Sequence, residues 1–398
     1  MALKKTEKLF KHLAIFNVAV DNVIRHKLRS LTVILCLVAI LSPFLSAISI
    51  LEGVKAQSVR SVEEGADIYV TMDLYGRNGI IPINFTEAIK GIAGVSEAVP
   101  RVVGRVFING KPAVLLGISL ERRTDDLMVV QGDLPQSGEV AVGKKLARAL
   151  NLDVGSDVSI GMRAVGIIND APYTLTRVYR VSGLIDAAAD IRAADIVLMN
   201  VNDVADVYEI EGFVTDIAVY TKSGSEAQVI NSLIRMNSSF RIQTKALAKT
   251  YVEGGLNMRG GIFTALYLVA FAVAVPAILV STGIGFVERR KEIGVLKATG
   301  WGTSEVMEVA LYENTLYALT GASAALIISF IWVRILNGFL IAKLFIPGIG
   351  GLPSFPVPSR FLPLPFFAAL CIAIAVTMTG SLITTWRTAV VPPAETLR

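Results

Sequence analysis

The sequence has almost no cysteine and almost no histidine. Its two cysteines, Cys36 and Cys371, both fall in apolar stretches. The water-exposed part therefore holds neither a disulfide nor a thiolate metal site. The two histidines, His12 and His26, both lie near the N-terminus, which excludes a histidine zinc site from the rest of the chain. Charge is scarce as well. Only 18% of the 398 residues are charged, against about 25% in a soluble domain, and mean hydropathy is +0.59. Such a shortfall needs long stretches without charge. The net charge of +5 is modest and its basic residues form no dense stripe, so no nucleic-acid partner is expected.

Four long charge-poor runs are present, at residues 31–51, 262–287, 304–332 and 361–386, with Glu313 inside the third. A run of about 20 apolar residues crosses roughly 30 Å of hydrocarbon as a helix. The first is too long, and its basic head of about 30 residues too extended, for a cleaved signal peptide. Pro43 and Pro276 fall inside runs, where neighbouring helices can satisfy the freed backbone groups. Lysine and arginine set the orientation. Residues 1–30 carry Lys4, Lys5, Lys8, Lys11, Arg25, Lys27 and Arg29, and the connector 288–303 carries Arg289, Arg290, Lys291 and Lys297. The longer stretch 333–360 has only Arg334, Lys343 and Arg360. The pattern predicts a multi-pass protein of the cell membrane. Residues 1–30, 288–303 and 387–398 would be cytoplasmic; 53–258 and the loop 333–360 would face outside.

Before the first run, Leu9, Leu13, Phe16, Val20, Val23 and Ile24 recur near helical spacing among Lys11, Asp21 and Arg25. This predicts an amphipathic helix over Lys8–Leu28 that lies on membrane lipid, with packing on the protein's own cytoplasmic loops as the alternative.

Residues 53–258 carry charges of both signs and apolar runs of strand length. Strand, helix and strand are expected at Asp67–Thr71, Thr86–Ile92 and Arg101–Ile108. The order repeats at Asp216–Tyr220, Ser225–Met236 and Ser239–Gln243. Short strands at Glu139–Val142, Asp157–Ile160 and Arg177–Gly183, with a helix at Lys144–Leu150, lie between. The expected fold is a membrane protein of four transmembrane α-helices plus an α+β extracytoplasmic domain. In that domain two flanking β-α-β units enclose an inserted, mostly-β subdomain. No catalytic set converges in it. Gly138 to Lys144 has phosphate-loop spacing, but Lys145 stands where a magnesium-holding Ser or Thr would be, and the intervening residues read as a strand. The acidic pairs Asp125/Asp126 and Glu63/Glu64 read as solvated surface.

The most informative stretch begins at Glu288-Arg-Arg-Lys-Glu-Ile-Gly-Val-Leu-Lys-Ala-Thr-Gly300. A charged helical turn follows the second run, and Gly300 and Gly302 break it. Thr303 is placed to cap the next helix, with Glu305 in its first turn. A short cytoplasmic helix joined to two membrane helices can pass a push between a soluble partner and the membrane.

This segment resembles the signature of the MacB/FtsX family of ABC-transporter permeases, E-R-x-x-E-I-G-x-x-(K/R)-A-x-G with an acid early in the third span. Glu288, Arg289, Glu292, Ile293, Gly294, Lys297, Ala298, Gly300 and Glu313 match it. Weaker likenesses are Arg25–Ser30 before the first span, Leu134–Gly143 with Leu152–Val158 in the outer domain, and Pro393–Arg398 at the end, where Thr396 departs. Thr384–Arg387 also departs from the usual Pro-Ala before a basic pair. The resemblance implies an ATPase-coupling role for Glu288, Arg289, Glu292, Ile293, Gly294, Lys297, Gly300 and Glu313. It implies a separate ABC ATPase subunit that holds the ATP and magnesium, with no cofactor in this chain. It also implies a homodimer or a paralogous permease partner. The expected function is coupling of ATP hydrolysis to movement of the outer domain, for export or extraction of a lipid-linked, peptide or hydrophobic substrate. The alternative is an FtsX-like regulator that activates an extracellular cell-wall hydrolase without transport.

Overall fold

The computed structural model describes residues 2–108, 111–119, 127–168, 171–187, 196–283, 286–345 and 356–390. The chain begins with α1 (Ala2–Arg25) and α2 (Lys27–Glu63). There follow β1 (Ile68–Leu74), β2 (Arg77–Gly79), β3 (Ile81–Pro82), α3 (Phe85–Lys90), β4 (Val95–Ile108), β5 (Lys111–Ile118), β6 (Leu127–Gly132) and β7 (Glu139–Gly143). Next come α4 (Lys144–Leu150), β8 (Asp157–Ile168), β9 (Ala171–Ala187), β10 (Ile196–Asn200), α5 (Val201–Tyr208), β11 (Phe213–Val214), β12 (Asp216–Thr221), α6 (Glu226–Met236) and β13 (Phe240–Thr244). The last elements are α7 (Lys245–Gly283), α8 (Phe286–Ala298), α9 (Thr303–Arg334), α10 (Ala342–Phe345) and α11 (Pro363–Val390). They form two compact units. A helical unit comprises Met1–Glu52, Arg259–Ile341 and Ser359–Arg398; a sheet unit comprises Gly53–Met258 and Ala342–Pro358.

In the sheet unit the expected strand–helix–strand pieces are present, as β1–α3–β4 and β12–α6–β13. They do not flank the domain as separate units. The strand order is β13-β1-β12-β4, and every neighbour is antiparallel. β12 lies between the two strands of the first piece, and β1 lies between the two strands of the second. The pieces interlock as one split β-α-β sheet. Ile89 of α3 and Val229 and Leu233 of α6 close over Ile68, Val70, Val102, Ile217 and Val219, all fully buried. The inserted strands are not a separate sheet either. β4 pairs β12 over Val95–Arg101 and β5 over Arg101–Ile108. From β5 the order runs on through β10, β7, β9 and β6. Length explains this: 14 residues span roughly 46 Å as a strand, enough for both partners in succession.

Arg101 sits at that changeover. Its Nε donates to Asp216 Oδ1 at 2.8 Å and its guanidinium lies 4.4 Å over the Tyr69 ring. The coulombic and hydrogen-bond pull of Asp216 outweighs burial, which works the other way, and holds the guanidinium proton above its ordinary range. The residues with phosphate-loop spacing form β7, a strand between β10 and β9 with Val140, Ala141 and Val142 fully buried. Their amides serve the sheet and cradle no phosphate.

At the start of β1, Asp67 accepts three hydrogen bonds. They come from Thr221 N at 2.7 Å, Thr221 Oγ1 at 3.1 Å and Lys245 Nζ at 2.9 Å. Its carbonyl accepts from Lys245 N at 3.0 Å. Further along the same helix pair, Lys249 meets Glu63 at 3.1 Å and Lys55 meets Asn257 at 3.3 Å.

In the helical unit, α2 and α9 are long and apolar enough to cross a membrane. α11 contains a shorter apolar helix, Pro363–Thr379. α2 continues past residue 51 to Glu63, because hydropathy falls there while the helix-forming residues Lys55, Ala56 and Gln57 continue. The core joins Val33, Leu37, Leu41 and Leu45 of α2 with Ala318, Ala322 and Ala325 of α9 and Ala369 and Ala373 of α11. Small residues let helix backbones approach closely. A Cβ on Gly321 would stand 2.8 Å from Leu37 Cδ1 and 3.0 Å from Leu37 Cβ. Ser46 donates to Ser329 at 2.9 Å in the same buried seam.

Candidate functional site

The segment that resembles the permease signature builds α8 and the start of α9. Gly300 ends α8 with φ +96, a left-handed conformation that glycine takes at no steric cost. Gly300 N donates to Lys297 O at 3.1 Å and Trp301 N to Leu296 O at 3.1 Å, the two bonds of a Schellman cap. Two residues later α9 begins. Its N-cap is Gly302, not Thr303, and Glu305 Oε2 reaches back to accept from Gly302 N at 2.8 Å. Four residues, Thr299 to Gly302, thus turn one helix into the next.

This corner is folded against the N-terminal helices. His26 lies at the break between α1 and α2, with its Nε2 2.8 Å from Glu292 Oε1. Asn22 Nδ2 donates to Glu313 Oε1 at 2.8 Å. Ser30 Oγ lies 3.2 Å from the Tyr317 hydroxyl and donates to Val23 O at 2.8 Å. Lys11 pairs with Glu305 and His12 with Glu308, while Tyr312 donates to Glu308 at 3.2 Å. Ile15 and Ala19 of α1 are buried against Val309, and Phe16 meets Tyr312 edge-on at 5.6 Å. One face of the amphipathic helix therefore packs on α9. Phe10, Leu13 and Ile24 of α1 remain exposed, as does Leu28, which belongs to α2 because the helix expected over Lys8–Leu28 breaks at His26.

The eight residues assigned to coupling divide by position. Glu292 and Glu313 are brought to the α1–α2 junction. Ile293, 4% exposed, packs with Val306 and Trp301, and Gly294 is also buried. Neither presents a surface to a partner, because α8 turns this face onto α9. Lys297 is half-buried and has an interaction partner, and Gly300 is exposed at the corner. Glu288 and Arg289 belong to α8, but their side chains lie outside the described residues. So do Asp125, Asp126 and the C-terminal Pro393–Arg398. The apolar group that α8 does expose is Val295, at 54%.

Several site residues escaped the sequence reading: Lys11, His12, Asn22, His26, Trp301 and Val306. A signal existed for two of them. The chain has only two histidines, both in the N-terminal segment, and both meet glutamates of this corner. Among the described residues no group of three or more His, Cys, Asp or Glu side chains could hold a metal ion.

Comparisons bear on different stretches of the chain. A family model described as FtsX-like permease C-terminal matches residues 264–393. The lipoprotein-releasing system transmembrane protein LolC of Xylella fastidiosa strain Temecula1 is 20% identical over 324 residues, 76% of this chain and 78% of that one. Its counterpart in strain 9a5c is 20% identical over 325 residues. The periplasmic region of MacB from Actinobacillus actinomycetemcomitans aligns over 48% of this chain and 98% of that one, with 16% identity and a TM-score of 0.34. The extracellular domain of the noncanonic ABC-type transporter YknZ from Gram-positive bacteria aligns over 44% and 99%, with 15% identity and a TM-score of 0.31. The C-terminal third of the chain is thus similar to the FtsX-like permease domain, and about three quarters of the chain is similar, at 20% identity, to LolC.

Proposed function

We propose that this chain couples ATP hydrolysis by a separate ATPase subunit to movement of its sheet unit outside the membrane, and that the movement expels or extracts a lipid-linked substrate. The observation that carries the coupling is local. One turn of α8, Glu292 to Val295, is bonded through Glu292 to the α1–α2 junction and packed through Ile293 on α9. The same turn exposes Val295 on its outer side. A push on α8 therefore bears at once on the starts of two membrane helices. The lipid-linked substrate is favoured over a peptide or a drug by the relatives, whose name assigns them to lipoprotein release.

Four spans complete this reading: α2, the part of α7 from residue 262, α9 and α11. Support comes from the helical backbone of α7 through Gly283 and of α11 through Val390, and from the charge-poor sequence of both. With residues 1–30 and 288–303 inside, the sheet unit lies outside the cell membrane. The working unit is a homodimer or a pair with a paralogue, and each permease faces one ATPase subunit.

The test is ATP turnover by the purified permease–ATPase complex in lipid. Val295→Glu puts a charge on the exposed side of α8 without touching the packed side. Coupling free energies are typically about 1–3 kcal/mol. The variant should insert and accumulate like the parent, while its stimulation of hydrolysis falls roughly five- to hundredfold. A complex that assembles and hydrolyses ATP at the parent rate would show that α8 does not carry the coupling. Gly294→Trp is a poorer probe, since Gly294 is buried and a large side chain there disturbs the corner itself.

A further inference from the structure

The helical unit encloses a cavity of about 510 Å3 between the α1–α2 junction, α8, α9 and α11. That is the size of pocket that holds a small organic ligand. Val18, Ile293, Leu296, Val306 and Val309 give it an apolar wall. Thr385 of α11 also lines it. This residue is 2% exposed, and its hydroxyl has no hydrogen-bond partner among the described residues. Buried hydroxyls are normally satisfied, so an unpartnered one in a cavity wall points to an occupant.

Charge at the rim narrows the chemistry. Glu292 is engaged by His26, Glu313 by Asn22, and Arg29 has a partner of its own. Asp21 and Arg25 are exposed, line the cavity, and form no ion pair with each other or with any described residue. They stand one helical turn apart, about 5–6 Å between Cβ atoms. A free carboxylate and a free guanidinium at that spacing match a ligand that carries an anion and a cation a few bonds apart. The source is indicated by what lies alongside. Ile24, Leu28 and Leu31 are 58%, 83% and 54% exposed around the same junction. That apolar strip beside a charged pocket suits acyl chains beside a headgroup.

We propose that this cavity seats the phosphoethanolamine headgroup of a phospholipid from the cytoplasmic leaflet. Its phosphate lies on Arg25, its ammonium on Asp21, and Thr385 supplies a further donor from the cavity wall. The occupant would touch α8 through Ile293 and Leu296, so headgroup occupancy sets how freely α8 moves on α9. The inference rests on the topology proposed above only in placing the α1–α2 junction on the cytoplasmic side.

The test is native mass spectrometry of the delipidated full-length chain, re-exposed in turn to phosphatidylethanolamine, phosphatidylglycerol and phosphatidylcholine. The unmutated chain should retain one phosphatidylethanolamine, at least about tenfold more tightly than the other two. Phosphatidylglycerol lacks the cation, and the methylated ammonium of phosphatidylcholine cannot donate to Asp21. Arg25→Gln and Thr385→Val should each weaken retention about tenfold. Asp21→Asn should abolish the preference over phosphatidylglycerol while leaving phosphatidylglycerol retention unchanged. Equal retention of all three lipids by the unmutated chain overturns the proposal, whatever the variants do. So does unaltered selectivity in the Asp21→Asn, Arg25→Gln double variant. Failure of the coupling reading appears elsewhere, in ATP turnover by Val295→Glu, and leaves headgroup selectivity untouched.

Discussion

Asp67 is where a single substitution should loosen the base of the sheet unit. Its carboxylate is 27% exposed and accepts from the Thr221 amide, the Thr221 hydroxyl and Lys245. Burial pushes the carboxyl up, but the bonds from Thr221 and Lys245 together outweigh it and hold its pKa below the ordinary value. A depressed carboxyl stabilises the fold fully above its unfolded pKa, about 3.9. That contribution is lost as pH falls through the lower folded value. Asp67→Asn keeps an acceptor for Thr221 but removes the charge. A hydrogen bond to a charged group contributes about 1.5–3 kcal/mol. Lys245 is a third exposed and regains water when released, so about 2 kcal/mol is expected from the lower part of that range. If opening at the base is local, this is roughly a thirtyfold faster hydrogen exchange at the Thr221 and Lys245 amides at neutral pH. The parent should approach the variant as pH is lowered below about 4. Equal exchange rates in parent and variant at pH 7 would refute the reasoning. So would a difference that persists undiminished at low pH.

Two further outcomes follow from other parts of the chain. Arg101→Ala leaves Asp216, 9% exposed, without its counter-charge, and should cost about 3–5 kcal/mol in denaturant unfolding; Arg101→Met with Asp216→Leu should cost less than the single change. Cysteines placed at Asp153 and Gly224 should react with an impermeant thiol reagent from outside intact cells, and one at Glu305 should not; labelling at Glu305 from outside would invert the proposed topology.

Much of the sheet unit was legible because its signals are local. Local patterns located β1, α3, β12, α6 and β13 closely, but β4 only from Arg101 on, so the first six residues of that strand, which pair β12, were missed. The interleaving of the two pieces was not legible. β1 and β12 are separated by well over a hundred residues, and nothing in either strand's own pattern says which neighbour it takes. The position of β7 was read correctly because Val140, Ala141 and Val142, between Gly138 and Gly143, suit a buried strand and not a glycine-rich loop. The packing of Ile293 was not legible. It stands among charged neighbours, yet the turn at Gly300–Gly302 folds it onto Val306. The contact depends on a reversal of direction, which periodicity within one helix cannot report. His26 and Asn22 belong to the site only through such tertiary contact, some 270–290 residues from the glutamates they meet.

The neighbouring positions of β1 and β13 have a consequence for how such chains can change. The two strands are adjacent and antiparallel, with Ile68 opposite Thr244, so the sheet unit's first and last strands meet at one edge about 5 Å apart. A segment with coincident ends is transplantable: it can be enlarged, trimmed or exchanged without changing the distance between its own ends. The long β4 takes a second partner, β5, along its later half, where the inserted strands join the sheet. The foot of the sheet unit is tied together by Asp67, Thr221 and Lys245.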